Sequence, residues 1–371
     1  MNKNKGITLI ALVITIIILL ILSGISISAL TNQGLFKNAK AAQNATEKAE
    51  EEQGQRLNEY EDEINKYLNN ANEDEKIGLI TDNINKELSK TDNTELKDAK
   101  ENKIVVPAGF KIINGATTVD KGIVIEDVTE TATKGSQFVW VPVGTITKAD
   151  GTITEIKLNR YTFDENGIPT AQDDKIIDTY FQELEESNKG NTVAKSISDF
   201  KTSALKNGGY YIGRYEARTA TARNAAGNTL TQITEKGTEN VYNYVTQLQA
   251  AQLSQNMYNS IKFTSDLMNS YAWDTAIVFI QNCGTNVKYS LQNSLNATLL
   301  QTGTTEDIQC NIYDMSSNIF EWTTETTNNI NSPCGGQGGN YYNRSSNASS
   351  RGSNSTSYSN TFIGFRPILY L

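Results

Sequence analysis

The side chain types that could do chemistry in this chain are few, and one is missing altogether. There is no histidine among the 371 residues. No Ser-His-Asp or Cys-His relay can therefore be assembled, and no imidazole is on offer to zinc, copper or non-haem iron. The three cysteines, Cys283, Cys310 and Cys334, are widely spaced and form no CxxC. Their odd number and spacing indicate neither a disulfide framework nor a zinc site; one disulfide with a thiol left over fits, and the spacing does not choose the pair. Glu321 beside Trp322 is a candidate catalytic carboxylate, but in an apolar frame an ion pair with Arg366 is the more ordinary role. Asp314 and Asn318 offer oxygen to calcium, yet no loop carries the closely spaced acidic ligands of an EF-hand. Arg214 and Glu216 read as a pair across a strand. The expectation is a protein that is not an enzyme and holds no cofactor, a structural calcium ion being the single exception left open.

The chemistry that remains is recognition. Residues 328–361 are dominated by Asn, Ser, Tyr and Gly. This is a paratope-like composition: Tyr supplies large amphipathic contacts with few rotors to freeze, and Ser, Asn and Gly supply adaptable hydrogen bonds. The bland alternative is a low-complexity surface loop with no partner. Under the binding reading the candidate ligand contacts are Asn340, Tyr341, Tyr342, Asn343, Arg344, Ser345, Asn347, Ser349, Arg351, Ser353, Asn354, Ser357 and Tyr358.

Such a tract needs rigid elements on either side. Tyr313-Asp-Met-Ser-Ser-Asn-Ile-Phe-Glu-Trp322 precedes it and Gly364-Phe-Arg-Pro-Ile-Leu-Tyr-Leu371 follows it. Upstream, Gln137–Gly144 and Gly208–Glu216 read as strands, and Tyr271–Ala276 as the start of a central helix. All three tryptophans, Trp140, Trp273 and Trp322, fall in these lines. In this order, over 104–371, the lines resemble the formylglycine-generating enzyme (sulfatase-modifying factor) family, which has a C-type lectin fold. That activity is a copper-dependent oxidation of a substrate cysteine by two thiolates a few residues apart. Here the corresponding loop, Gly338–Arg351, holds no cysteine, so the resemblance implies the fold without the oxidase. It also places residues 328–361 where proteins diversified by retroelements carry their variable positions. Randomising Asn codons at adenine yields mixtures rich in Asn, Ser and Tyr, and this chain is similar to such a variable protein.

At the other end, residues 1–6 form a short basic leader and residues 7–27 an apolar run of 21 residues. As a helix that run would extend about 31 Å, enough to span a bilayer core. The Lys5-Gly6 junction before Ile7 resembles the type IV prepilin leader, which implies a prepilin peptidase cutting between Gly6 and Ile7. The fifth residue after that cut is Ala11 where pilins carry Glu, which weighs against assembly with other pilins into a filament. Lys3 and Lys5 place the N-terminus in the cytoplasm and the remainder outside the cell. Residues 28–68 have helical spacing, as of a stalk, and 69–103 read as a linker.

The net charge of −9 and the lack of a basic patch argue against nucleic acid. The fold expected is α+β: a long N-terminal membrane and stalk helix, then a C-type-lectin-like mixed domain with short strands and much irregular structure. Within that domain, Asp150-Gly151 and Asn166-Gly167 mark hairpins, 219–239 reads as a surface loop, and 241–268 has helical spacing. Pro142 suggests that its strand lies at an edge or bend. The function expected is non-catalytic recognition of an extracellular protein or glycan at the cell surface, with a structural minor pilin or pseudopilin as the alternative.

Overall fold

The computed structural model of the chain describes residues 12–23, 40, 48, 88, 90–113, 115–173, 175–177, 180–183, 196–227 and 233–371. The chain falls into two compact units, Met1–Glu75 and Lys76–Leu371. In the first, the apolar run gives a helix, α1, at residues 12–23. The described part of this helix is twelve residues, about 18 Å. Among the described residues no helix is long and apolar enough to cross a membrane. The long membrane and stalk helix expected from the sequence is corrected to what the described residues show: a helical run over 12–23, with residues 40 and 48 also helical. The leader with Gly6 and Ile7, the rest of 7–27 and nearly all of 28–68 lie outside the described residues.

The second unit is mostly β, not evenly mixed. Among the described residues its α-helices are α2 (Ile197–Asn207), α3 (Gln247–Gln255) and α4 (Ser270–Cys283). Two main sheets are built from β1 (Phe110–Ile112), β2 (Val124–Asp127), β3 (Gln137–Pro142), β4 (Phe181–Glu183), β5 (Gly209–Gly213) and β6 (Thr264–Leu267), then β7 (Phe320–Thr327), β8 (Cys334–Gln337), β9 (Arg351–Asn354), β10 (Ile363–Phe365) and β11 (Pro367–Tyr370). The six-stranded sheet runs β6-β11-β5-β3-β2-β1 and is antiparallel throughout. The five-stranded sheet runs β4-β7-β8-β9, with β10 added in parallel to β7.

The centre of the larger sheet is apolar on both faces, which is why β3 and β5 read as continuous hydrophobic runs and not as an alternation. Phe138, Val139, Trp140 and Val141 are fully buried, as are Tyr210, Tyr211 and Ile212. Trp140 meets Tyr211 edge-on at 4.9 Å. Pro142 does not mark an edge, because β3 lies between β5 and β2; it is the strand's last residue, where no following ladder bond is lost. Central helix α4 is capped by Asn269, whose side chain accepts from Ala272 N at 2.9 Å. The Tyr210 hydroxyl donates to Ala272 O at 2.6 Å, tying the helix to the sheet.

Both hairpins form. Gly144–Thr147 pairs with Ile153–Ile156, and Tyr161–Phe163 with Pro169–Ala171, with Gly151 and Gly167 at φ 82° and 78° in the turns. Two other expectations are corrected. The helical spacing over 241–268 resolves into α3, stopped at Asn256, followed by strand β6, which β11 recruits as a partner. The stretch 219–239 is not wholly superficial, since Ile233 and Glu235 are fully buried.

The chain ends by joining the two sheets. Its last strands, β10 and β11, belong to different sheets and are separated by Arg366 alone. The Arg366 guanidinium donates to Gly213 O (2.9 Å), Tyr313 O (2.8 Å) and Glu321 Oε1 (2.7 Å). The ion pair weighed for Glu321 is therefore formed, fully buried, and binds β7 to the seam between the sheets.

Candidate functional site

Residues 328–361 do not form one loop. After β8 comes Gly338-Gly339, pressed against the Met315-Ser316 backbone; a Cβ at Gly339 would lie 1.8 Å from Ser316 O, and Gly338 has φ 100°. Only glycine fits there. The chain then loops out over 340–350, returns as β9 in register with β8 (Gln337 opposite Arg351), and loops out again over 355–361 before β10. Two loops are thus carried by three strands of one sheet.

The candidate ligand residues divide by burial. Tyr342 is 72% exposed, and Asn343, Arg344, Ser345 and Ser357 are exposed. Tyr342 stacks on Phe362, with ring centroids 4.9 Å apart and planes 10° from parallel. This joins the two loops into one aromatic platform. Tyr341 is half-buried, and its hydroxyl donates to Thr361 Oγ1 at 3.2 Å. Ser345 Oγ donates to Asn343 Oδ1 at 2.7 Å. Asn347, Ser349, Ser353 and Asn354 are half-buried; Asn347 Oδ1 accepts from the hydroxyls of Ser349 (3.1 Å) and Ser350 (3.0 Å).

Three candidates serve the scaffold. Asn340 is buried and accepts from Asn343 N at 2.6 Å. Half-buried Tyr358 packs edge-on against Trp322 at 6.3 Å. Arg351, also among the candidate ligand contacts, turns inward: its side chain is only 3% exposed. The guanidinium pairs with Asp274, donates from Nε to both Glu325 oxygens at 3.2 Å, and from Nη1 to Tyr161 O at 3.3 Å. Beside it Arg160 pairs with Glu325 and donates to Ser270 Oγ (2.8 Å) and Lys175 O (2.8 Å). Two guanidinium groups and two carboxylates thus form a buried network behind the tract. Burial raises the Asp274 carboxyl while Arg351 pulls it down, leaving it above its ordinary range.

Other polar residues are also committed inward. Asp314 accepts from Thr305 Oγ1 and Gly303 N. Asn318 donates to Glu216 Oε2 (2.8 Å) and accepts from Leu300 N (3.0 Å). Glu216 does not pair with Arg214, whose Nη1 donates to Gln137 Oε1 at 2.8 Å. Burial pushes the carboxyls of Glu216 and Glu235 well above the usual range. Among the described residues no group of three or more His, Cys, Asp or Glu side chains is arranged to hold a metal ion. The Arg160–Glu325–Arg351–Asp274 network was missed in the sequence. The strand that carries Glu325 is irregular between Trp322 and Thr326, and no local pattern in the sequence marks Glu325 as a second buried acid.

The chain matches no protein-family model and no curated protein by sequence. Among solved structures it is similar to Treponema denticola variable protein 1, with TM-score 0.36 and 10% identity over 65% of this chain and 98% of that one. It is also similar to the Major Tropism Determinant M1 variant, with TM-score 0.26 and 11% identity over 76% of this chain and 72% of that one. A third likeness, to CarF, has TM-score 0.23 and 16% identity over 33% of this chain and 55% of that one.

Proposed function

We propose that the two loops 340–350 and 355–361 form a ligand-recognition surface without catalytic chemistry, diversified by a retroelement and displayed toward an extracellular protein or glycan. One observation carries this reading: the loops present Tyr342, Asn343, Arg344, Ser345 and Ser357 outward from a frame closed by buried Arg351, Arg366 and Trp322. Such a division lets the outward side chains change at little cost to folding, since surface substitutions usually stay within about ±0.5 kcal/mol. The stacked Tyr342–Phe362 pair supplies a rigid apolar anchor of the kind that dominates interfaces, and the surrounding Asn and Ser side chains supply adaptable polar contacts.

The test is a display library of the full chain, randomised at 342–345 and 355–357 and selected against a panel of folded proteins and immobilised glycans. Binders whose melting temperature matches the parent chain's support the reading. A library that loses the fold, or that keeps it and yields no binder, contradicts it.

A further inference from the structure

We propose that Cys283 and Cys310 form a modification site: in an oxidising environment they join as a disulfide that ties the C-terminal end of α4 to the turn of the Ile308–Tyr313 hairpin. The sequence leaves the pairing of its three cysteines open, and the fold selects two of them. Cys283 is the last residue of α4, and Gly284 follows it with its N–H on Ile280 O at 2.7 Å. Cys310 and Asn311 make the two-residue turn between Ile308–Gln309 and Ile312–Tyr313, at φ 48° and 63°. Both residues lie in the left-handed region, where such turns favour Asn-Gly and a cysteine is out of preference.

The turn is held so that its sulfur faces the helix end. On one side Asn311 Nδ2 donates to Lys121 O (2.9 Å) and Gly122 O (2.8 Å). On the other, Gln309 Oε1 accepts from Thr285 N (2.9 Å) and Thr285 Oγ1 (3.1 Å). The Cys310 sulfur lies 3.5 Å from where a Cβ on Gly284, the neighbour of Cys283, would stand. Both cysteines are half-buried against the core, whereas Cys334 is buried in β8 of the five-stranded sheet. Burial pushes the Cys283 thiol up to about 12, and Cys310 higher still with Cys283 adding to the rise. Few thiolates are thus available at neutral pH, so exchange is slow there and quickens as pH rises.

The reaction needs an oxidant, which a small-molecule disulfide supplies. A thiolate of the pair attacks oxidised glutathione, releasing one glutathione thiol and leaving a mixed disulfide. The second cysteine then displaces the other glutathione. One S–S bond forms and one breaks, and the two protons of the protein thiols end on the two glutathione thiols.

The experiment incubates the folded full chain with oxidised glutathione at rising pH, blocks remaining thiols, digests without reduction and maps linked peptides. The expected product is a Cys283–Cys310 crosslink, with Cys334 blocked only after unfolding, and a melting temperature raised by roughly 5–10 °C as the unfolded chain loses loop freedom. Cys283→Ser and Cys310→Ser should each leave a persistent glutathione adduct on the remaining partner and abolish the thermal gain. Persistent adducts on both wild-type cysteines, a crosslink through Cys334, or an equal thermal gain in the serine variants would overturn the proposal.

Discussion

Arg351→Ala separates scaffold from surface within a tract whose composition looks uniform. In the native chain this guanidinium faces two fully buried carboxylates, Asp274 and Glu325, and only Arg160 remains to offset them when it is removed. Breaking a buried pair by deleting one partner costs about 3–5 kcal/mol, because the charge left behind is uncompensated. At ~2–4 °C per kcal/mol for domains of 150–250 residues, the melting temperature should fall by roughly 6–20 °C. Arg344→Ala, an exposed change seven positions earlier, should move it by no more than about 2 °C. Lysine at 351 keeps the charge but loses the planar fork that reaches Glu325 through Nε and Asp274 through Nη2 at once, and should fall between the two. The penalty should also depend on pH in a defined direction. Burial already raises the Asp274 carboxyl and Arg351 opposes that rise, so removing the arginine raises it further. A raised carboxyl costs stability above its unfolded value, so the Arg351→Ala deficit should shrink as pH falls toward about 4. The assay is thermal denaturation of both variants by circular dichroism across pH 4–8. An Arg351→Ala chain that melts with the parent at neutral pH would refute the inward role and return Arg351 to the surface set.

Glu183 is pushed up to about 7 by burial and by nearby Glu325. The folded state therefore keeps its proton where the unfolded chain has lost it, and its contribution declines as pH rises from about 4.5 to about 7, by up to ~3 kcal/mol. Glu183→Gln should flatten that slope, and a denaturant midpoint with unchanged pH dependence would show that another group is responsible. Trp322→Ala removes a fully buried ring whose Nε1 donates to Val245 O at 2.8 Å; it should destabilise the fold by about 3–5 kcal/mol, and a loss under 1 kcal/mol in urea titration would place the ring outside the core. We also propose that the leader is removed between Gly6 and Ile7, so the intact mass of the chain from its native source should begin at Ile7; a retained Met1, or a cut near Ser23, would count against it.

What was legible in the sequence was local. The hairpins at Asp150-Gly151 and Asn166-Gly167 follow from turn chemistry that needs no distant partner. The Glu321–Arg366 pair followed from two charges embedded in otherwise apolar lines. What was illegible depended on pairing across the chain. The apolar spacing over 241–268 suits a helix, but β11 offers a free edge to Thr264–Leu267 and tertiary pairing overrides local periodicity. Arg351 sits among serines and asparagines, and its partners are 26 and 77 residues away, so no neighbour reveals that it turns inward. The apolar run near the N-terminus looked long enough to span a bilayer, yet the described helix covers only 12–23.

A variable recognition surface at 340–350 and 355–361, as proposed, must leave its mark in the gene. The most direct measurement is to sequence the 3′ end of this gene, with its downstream DNA, across many individuals of one population. Substitutions at adenine-containing codons should concentrate at the outward positions Tyr342, Asn343, Arg344, Ser345 and Ser357. Trp322, Gly338, Gly339, Arg351 and Arg366 should stay unchanged, and a near-copy of the tract should lie downstream beside a reverse transcriptase gene. An invariant tract with no downstream copy, or changes falling equally on the inward residues, would contradict it.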